Sequence, residues 1–419
     1  MADLRSTFLG ITSPNPFWLA SAPPTDKKIN VLRAFEAGWG GVVWKTIGAQ
    51  IRNVSSRYSG FSYRGAGPVG FNNIELISDR PAEVNLKEIR EVMKAFPDRA
   101  MVVSLMTENN RESWHELVKK TQDTGVHGIE LNFGCPHGMV ERGMGAAVGQ
   151  VPDIAAQIVE WVMETATIPV ITKLTPNVHS VVPVGRAVVE AGSNGISLIN
   201  TIQSVTGINL DTLVPRPEVG DHSTFGGYCG AAVKPIALKF LTSLAQDEVT
   251  GKIPISGIGG ISTWRDAVEF ILLGASNLQV CTAAMLNGFR IIDDLCEGLR
   301  NWMDEKGYKT IDEMVGLSLP RITRWEELDL NFHVVARIDQ EKCIRCGKCY
   351  IACEDTSHQA VSLEAGRPYN VYTIKEEDCV GCNLCKIVCP VPDCITMTEQ
   401  RKGAEYLNWS EFQRRNMPL

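Results

Sequence analysis

Nine of the thirteen cysteines lie between Cys343 and Cys394, and no other feature restricts what this chain can fold into so strongly. Eight of them form two copies of the spacing C-x₂-C-x₂-C-x₃-C: Cys343, Cys346, Cys349 and Cys353, then Cys379, Cys382, Cys385 and Cys389. In a small secreted domain such density would be a disulfide framework. Here it follows a long stretch holding only Cys135, Cys229, Cys281 and Cys296, and the opening MADLRSTFLG is no signal peptide. Metal is the better reading. Three thiolates on a tight loop can hold one face of an iron–sulfur cubane, while the fourth, on the following helical turn, reaches a second cubane. Two Cys₄ zinc sites are the alternative, but zinc ribbons rarely crowd three cysteines so closely. Cys394 lies outside both copies and reads as a packed thiol.

At about 150 residues per domain, 419 residues suggest two or three domains. Hydrophobic residues at 44% and charged residues at 21% fit a globular chain with a large core, and exclude disordered, collagenous or mucin-like character. A net charge of −7 leaves no basic footprint for nucleic acid. No apolar run reaches the ~20 residues of a membrane-spanning helix. A reducing, cytoplasmic location is expected.

Before the cysteine-rich segment, short apolar runs alternate with amphipathic stretches of helical length. The strand candidates are Phe17–Ala20, Gly41–Lys45, Met101–Leu105, Gly128–Asn132, Pro169–Lys173, Gly195–Asn200, Pro254–Gly257 and Leu278–Val280. Between them lie helical patterns such as Trp114–Thr124, Ile154–Thr165, Pro183–Ala191 and Trp264–Leu273. Near-continuous apolar strands separated by helices imply a parallel sheet covered on its outside. Eight such units fit a closed (β/α)₈ TIM barrel, with a doubly wound open sheet as the other arrangement of the same pattern. The expected organisation is a barrel over residues 1–317, a connection over 318–335 containing Pro320, and a small α+β ferredoxin-like domain with a C-terminal tail over 336–419.

In a barrel, chemistry sits where strands end. These strands end in Lys45-Thr46, Asn132, Lys173, Asn200-Thr201, Gly259-Gly260 and Cys281-Thr282. A strand-end Asn is commonly only a cap, but a lysine at the tip of an apolar strand needs an anionic or polar partner. The glycines of Ser256-Gly257-Ile258-Gly259-Gly260, after the seventh strand and before a helix, suit a backbone that cradles phosphate. Gly65-Ala66-Gly67-Pro68-Val69-Gly70 matches G-x-G-x-x-G, yet no apolar strand precedes it and Pro68 interrupts it, so it is rejected as a dinucleotide site. The chain is expected to have no NAD(P) site of its own.

The cysteine-rich segment, over about residues 336 to 400, resembles a bacterial two-[4Fe–4S] ferredoxin. The resemblance implies crossed ligation: Cys343, Cys346, Cys349 and Cys389 for one cluster, Cys379, Cys382, Cys385 and Cys353 for the other. Glu354 stands after Cys353 where the second copy has Pro390. Ala20-Ser21-Ala22-Pro23, Lys45-Thr46, Asn132-Phe133-Gly134-Cys135-Pro136, Lys173-Leu174-Thr175-Pro176-Asn177, Asn200-Thr201, Gly226-Gly227-Tyr228-Cys229-Gly230 and Gly259-Gly260 resemble the FMN barrel of the dihydroorotate/dihydropyrimidine dehydrogenase group. Phe71-Asn72-Asn73-Ile74-Glu75, the run from Cys135 to Gly145 and the fused ferredoxin module are closest to its dihydropyrimidine dehydrogenases. The resemblance implies FMN held by Ser21, Lys45, Thr46, Lys173, Gly230, Gly259, Gly260 and the Cys281–Thr282–Ala283 turn. It implies pyrimidine contacts at Asn73, Asn132, Asn200 and Thr201, with Phe133 and Gly134 lining the ring, and a catalytic acid/base at Cys135. The family commonly has serine where this chain has Gly134. It also implies an NAD(P)H-oxidising partner subunit that feeds electrons through two [4Fe–4S] clusters, as in a hetero-oligomer such as a heterotetramer.

Chemistry agrees with that assignment. Uracil presents a neutral edge of carbonyl and N–H groups, which asparagine amides can match without a buried charge. A site for the carboxylate of dihydroorotate should instead offer a cation, and here the lysines are expected to serve flavin, Lys173 by stabilising its reduced form. A thiol with a pKa of ~8.5 is mostly protonated at neutral pH, so Cys135 could donate the proton that accompanies hydride transfer. His137, on the same loop, is either a proton relay or a bystander, and Cys229, Cys281 and Cys296 read as packing thiols. Two other functions stay open at this point: a dihydroorotate dehydrogenase with a ferredoxin tail, and a non-catalytic electron-transfer subunit.

Overall fold

A computed structural model describes residues 1–49, 51–62, 67–136, 143–400 and 406–416. Eight parallel strands close a barrel in sequence order: β1 (Phe17–Leu19), β2 (Gly41–Ile47), β3 (Ala100–Leu105), β4 (Gly128–Asn132), β5 (Val170–Lys173), β6 (Gly195–Leu198), β7 (Ile255–Ile258) and β8 (Ala275–Val280). Every expected strand is present, with ends shifted by a few residues. The barrel forms because these runs are covered on both faces: β2 and β3 are buried along their whole length. The outer faces pack on the amphipathic helices between them, where Trp114, Phe35 and Phe270 are fully or nearly fully buried.

Local signals set the helix ends. Asn110 accepts a hydrogen bond from the Ser113 N–H at the start of Arg111–Gln122. Thr263 and Asp266 form a reciprocal capping box at the start of Trp264–Leu272, satisfying two otherwise orphaned donors. The end of the barrel at the strand N-termini is stoppered by the hairpin Ser6–Phe8 and Ile11–Ser13, whose Phe8 and Ile11 pack with Trp18, Val43 and Val102.

The opposite end carries an element with no counterpart in the sequence reading. The long segments after β2 and β6 supply a four-stranded antiparallel sheet in the order Ile202–Ser204, Gly226–Cys229, Pro68–Asn73, Tyr58–Ser62. The glycine-rich match at 65–70 enters this sheet. Gly65 and Ala66 lie outside the described residues, but a half-polar strand, Tyr58–Ser62, does precede them, and an antiparallel strand rather than a helix follows. That context cannot present a helix N-terminus to a pyrophosphate.

The chain divides into two compact units, Met1–Pro320 and Arg321–Leu419. The segment read as a connection contains the short turns Leu319–Arg321 and Trp325–Glu327, and its last residues already belong to the strand Val334–Ile338. In the second unit that strand pairs with Ile395–Glu399, and Val361–Glu364 pairs with Val371–Ile374. Two short helices, Lys348–Glu354 and Leu384–Val388, follow the cysteine loops. Both loops turn through left-handed residues at matching places, Arg345 and Gly347 in one, Gly381 and Asn383 in the other. A Cβ at Gly381 would lie 2.4 Å from the Val334 carbonyl oxygen, so glycine is required there on space as well as on conformation. Among the described residues no helix is long and apolar enough to cross a membrane.

Candidate active site

Where the barrel strands end, a cavity open to solvent lies between the barrel and the antiparallel sheet. The strand termini deliver Lys45 and Thr46 from β2, Asn132 from β4, Lys173 from β5 and Gln279 and Val280 from β8, while Asn73 and Tyr58 come from the sheet. Ser21, Cys135, Asn200, Thr201, Gly230, Gly259, Gly260, Cys281, Thr282 and Ala283 also line it.

The polar residues are pinned to one another. Ser21 Oγ accepts from the Thr46 N–H (3.0 Å), and Thr46 Oγ1 accepts from Asn132 Nδ2 (3.0 Å). Asn132 Oδ1 accepts from Asn200 Nδ2 (3.0 Å) and from the Gly134 N–H (3.2 Å). Asn200 Oδ1 accepts from the Thr201 N–H (2.8 Å), and Asn73 Nδ2 donates to the Gly227 carbonyl (3.0 Å). Each amide uses one N–H in these bonds and carries a second that can meet a ligand.

Two predicted residues sit elsewhere. Phe133 is 1% exposed and packs edge-on against Trp114, 6.5 Å between ring centres, so its side chain belongs to the outer core and not to the cavity wall. Adjacent residues at a strand end point to opposite faces, and Asn132 takes the inner one. Gly134 does not line the cavity either. A Cβ there would lie 2.4 Å from Asn200 Cβ and 2.5 Å from its Nδ2, so the glycine makes room for the Asn200 amide. His137 lies outside the described residues. Cys229, read as a packing thiol, faces the cavity and donates to the Phe71 carbonyl (3.3 Å). Burial pushes the Cys229 thiol up to about 11 and that of Cys281 up to about 12.

Sequence reasoning missed the carboxylates. Lys45 Nζ lies 2.8 Å from Glu75 Oε1 and 3.8 Å from Asp26 Oδ2. Arg57 reaches the same Glu75 oxygen at 2.9 Å, and the Tyr58 hydroxyl donates to Glu75 Oε2. Partial burial and that hydrogen bond push the Tyr58 phenol well above its ordinary range. Lys173 Nζ lies 3.7 Å from Oε1 of Glu130, which is fully buried. A glutamate in the middle of the apolar run Gly128–Asn132 was the available signal.

The cavity suits a flavin mononucleotide. Gly230, Gly259 and Gly260 hold φ of +102°, +123° and +84°, and any Cβ there would come within 3 Å of neighbouring atoms, so bare backbone faces the space where a phosphate would rest. Gln279 Oε1 is buried beside the cavity with no hydrogen-bond partner among the described residues, an acceptor that a flavin ring N–H can fill. In the second unit the cysteines border two cavities. One is lined by Cys343, Cys346, Cys349 and Cys389 together with Cys394, which lies outside both motifs, the other by Cys353, Cys379, Cys382 and Cys385. Each thus takes three sulfurs from one motif and one from the other.

Residues 3–303 match the family model described as dihydroorotate dehydrogenase, and residues 336–397 match that of a 4Fe-4S dicluster domain. The chain is 42% identical over 360 residues to the NAD-dependent dihydropyrimidine dehydrogenase subunit PreA of Escherichia coli K12, covering 86% of this chain and 87% of that one. It is 42% identical over 337 residues to the chloroplastic dihydropyrimidine dehydrogenase (NADP(+)) of Arabidopsis thaliana, covering 78% and 79%. Over 316 residues it is 36% identical to the catalytic subunit of dihydroorotate dehydrogenase B (NAD(+)) of Pyrococcus abyssi, covering 75% and 99%. The chain therefore belongs to the dihydroorotate dehydrogenase family and, within it, to the dihydropyrimidine dehydrogenases, with a 4Fe-4S dicluster domain behind its barrel.

Proposed function

We propose that this chain reversibly reduces the 5,6 double bond of uracil or thymine to the 5,6-dihydropyrimidine. The observation that carries the substrate class is the charge pattern of the cavity. Both of its lysines are matched by carboxylates, Lys45 by Glu75 and Lys173 by Glu130, while three asparagine amides and Thr201 offer neutral donors and acceptors. A neutral ring fits that set. The carboxylate of orotate would have to compete with Glu75 or Glu130 for a cation.

FMN, when bound, supplies the hydride for one ring carbon. Ser21, Lys45, Thr46, Lys173, Gly230, Gly259, Gly260 and the Cys281–Ala283 turn would hold it. Asn73, Asn132, Asn200 and Thr201 bind the pyrimidine edge and fix which carbon faces the flavin. Cys135 holds a proton on its Sγ and delivers it to the other carbon, then reloads from solvent. Cys135 is 8% exposed and packs with Ile77, Met106 and Met144 beside the cavity.

The two sulfur-lined cavities support two [4Fe–4S] clusters with crossed ligation, each carrying one electron at a time. Their electrons come from an NAD(P)H-oxidising partner subunit in the cytoplasm, a reading supported by the word "subunit" in the name of the Escherichia coli relative. The test is to supply purified chain with uracil, thymine or orotate and either NADH or dithionite-reduced viologen. Turnover of uracil or thymine with viologen alone is expected. Preference for orotate would give the dihydroorotate reading, NADH-driven turnover by this chain alone would remove the partner, and no turnover with FMN absent would give the electron-transfer reading.

A further inference from the structure

The inside of the barrel is not apolar. Below the cavity, Glu130, Ser197, Ser256 and Gln279 are all 0–1% exposed and form one hydrogen-bonded layer. Glu130 Oε2 accepts from Ser197 Oγ (2.8 Å) and from Gln279 Nε2 (3.0 Å), and Gln279 Nε2 also donates to Ser256 Oγ (3.2 Å). The other carboxylate oxygen, Oε1, accepts no hydrogen bond among the described residues and faces Lys173 Nζ at 3.7 Å. Gln279 is tied to the same carboxylate and presents its unpartnered Oε1 beside the cavity.

A neutral side chain would satisfy Ser197 and Gln279 equally well. A carboxylate here is harder to bury, and its two neutral donors do not balance its charge. Only Lys173 does. From this geometry we infer that Glu130 is a positioning residue: it holds Lys173 and Gln279 at the cavity floor and offsets the lysine's charge, thereby limiting how far the site favours reduced over oxidised flavin. Without Glu130, the Lys173 cation would act at full strength on the negative charge a flavin gains on reduction. Such overstabilisation would hold back hydride donation to a pyrimidine. The inference rests on the flavin reading of the cavity.

The test is the reduction potential of FMN in the holoenzyme, followed by its absorption band resolved from that of the clusters. E130Q keeps an oxygen for Ser197 and Gln279 and removes only the charge. It is expected to retain FMN and favour the reduced form at least tenfold more than the parent, an upward shift of about 30 mV for a two-electron couple. K173M should shift the potential the other way, and E130Q in the K173M background should shift it by less than in the parent. Should E130Q yield no folded holoenzyme, E130D draws the carboxylate back by one methylene and should shift the potential in the same direction by a smaller amount. An unchanged potential in a folded, FMN-loaded variant would overturn the role of Glu130. Parent protein without FMN, and without FMN uptake on reconstitution, would instead overturn the flavin reading itself.

Discussion

Replacing Gly134 by serine should damage the pyrimidine site proposed for this chain. A Cβ at position 134 would sit 2.4 Å from Asn200 Cβ, 2.5 Å from its Nδ2 and 2.7 Å from its Cγ. Carbon atoms pack at about 3.5–4.0 Å, so the overlap is about 1 Å and falls at the root of the Asn200 side chain, where no far end can swing away. Asn200 would have to move, losing its bond to Asn132 (3.0 Å) and the one it accepts from the Thr201 N–H (2.8 Å). At a net ~1 kcal/mol each, the pair is worth about 2 kcal/mol. That corresponds to roughly a 30-fold loss in affinity. The assay is uracil binding, read as a perturbation of the flavin spectrum, alongside kcat/KM with reduced viologen. G134A should show nearly the same loss as G134S, because the Cβ is what collides, and N200G, which removes the Asn200 Cβ it strikes, should remove most of the difference between Gly and Ala at 134. Parent-like affinity in both G134A and G134S, within a factor of two, would refute the reasoning.

C135A should keep its flavin yet reduce pyrimidine about 10²–10⁴-fold more slowly, the usual worth of a positioned general acid; a rate within threefold of the parent would put the proton elsewhere. C389A should disturb the cluster whose other ligands are Cys343, Cys346 and Cys349, while C353A should disturb the one on Cys379, Cys382 and Cys385, because each cavity draws one sulfur from the opposite motif; electron paramagnetic resonance of the two reduced variants would separate them, and loss of the variant's own-motif cluster alone would contradict crossed ligation. Cys229 and Cys281, pushed up to about 11 and about 12 by burial, hold their protons through the range where an unfolded thiol ionises near 9. Their raised values favour the folded state below pH 9, and this advantage is lost as pH climbs through 11 to 12. Peptide mapping after iodoacetamide at pH 8 should therefore find Cys229 alkylated about a hundredfold and Cys281 about a thousandfold more slowly in flavin-free folded protein than in denatured chain, and comparable rates would contradict it.

The barrel was legible because its strands are buried on both sides and so read as unbroken apolar runs, bounded by glycine, proline and capping residues. Thr263 with Asp266 marks a helix start in the sequence as plainly as it does in the fold. The antiparallel sheet was not legible. Its strands Pro68–Asn73 and Gly226–Cys229 are rich in glycine and asparagine, carry neither period, and gain their order only by pairing across long sequence separation, Gly227 opposite Asn73 and Cys229 opposite Phe71. Asn73 could be placed from its resemblance to a family, but Tyr58 and Glu75 could not, since their roles arise from the pairing that sets Tyr58 beside Asn73. Phe133 misled for a local reason: it follows Asn132 and precedes Cys135, so contiguity in sequence suggested contiguity in the site, whereas strand alternation sends it outward to Trp114.

The sequence also shows why a site for a neutral ring should contain so many charges. Lysines at strand tips can be read as anion-binding residues, and two of them in one cavity would ordinarily draw a substrate carboxylate. Each is met by a glutamate supplied from a place the eye passes over: Glu75 at the end of a sheet strand, Glu130 inside an apolar barrel strand. These pairs differ in kind. Glu75, itself largely buried, divides its charge among Lys45, Arg57 and the Tyr58 hydroxyl, so no single contact sees all of it. Glu130 has no exposure at all, so its interaction with Lys173 works in a medium of lower polarity, where the Coulomb attraction at 3.7 Å is about 4.5 kcal/mol at an effective dielectric of 20, before the cost of desolvating both charges. A matched charge buried so deeply alters what the site does to electrons more than what it does to substrates. In the proposed reading a pyrimidine meets Asn73, Asn132, Asn200, Thr201 and Cys135, while a bound flavin would meet the difference between the two buried charges of Lys173 and Glu130. Substrate choice and electron affinity are thereby set by separate residues, and mutations in Glu130 and in the asparagines should add in their effects wherever the two groups are not in contact.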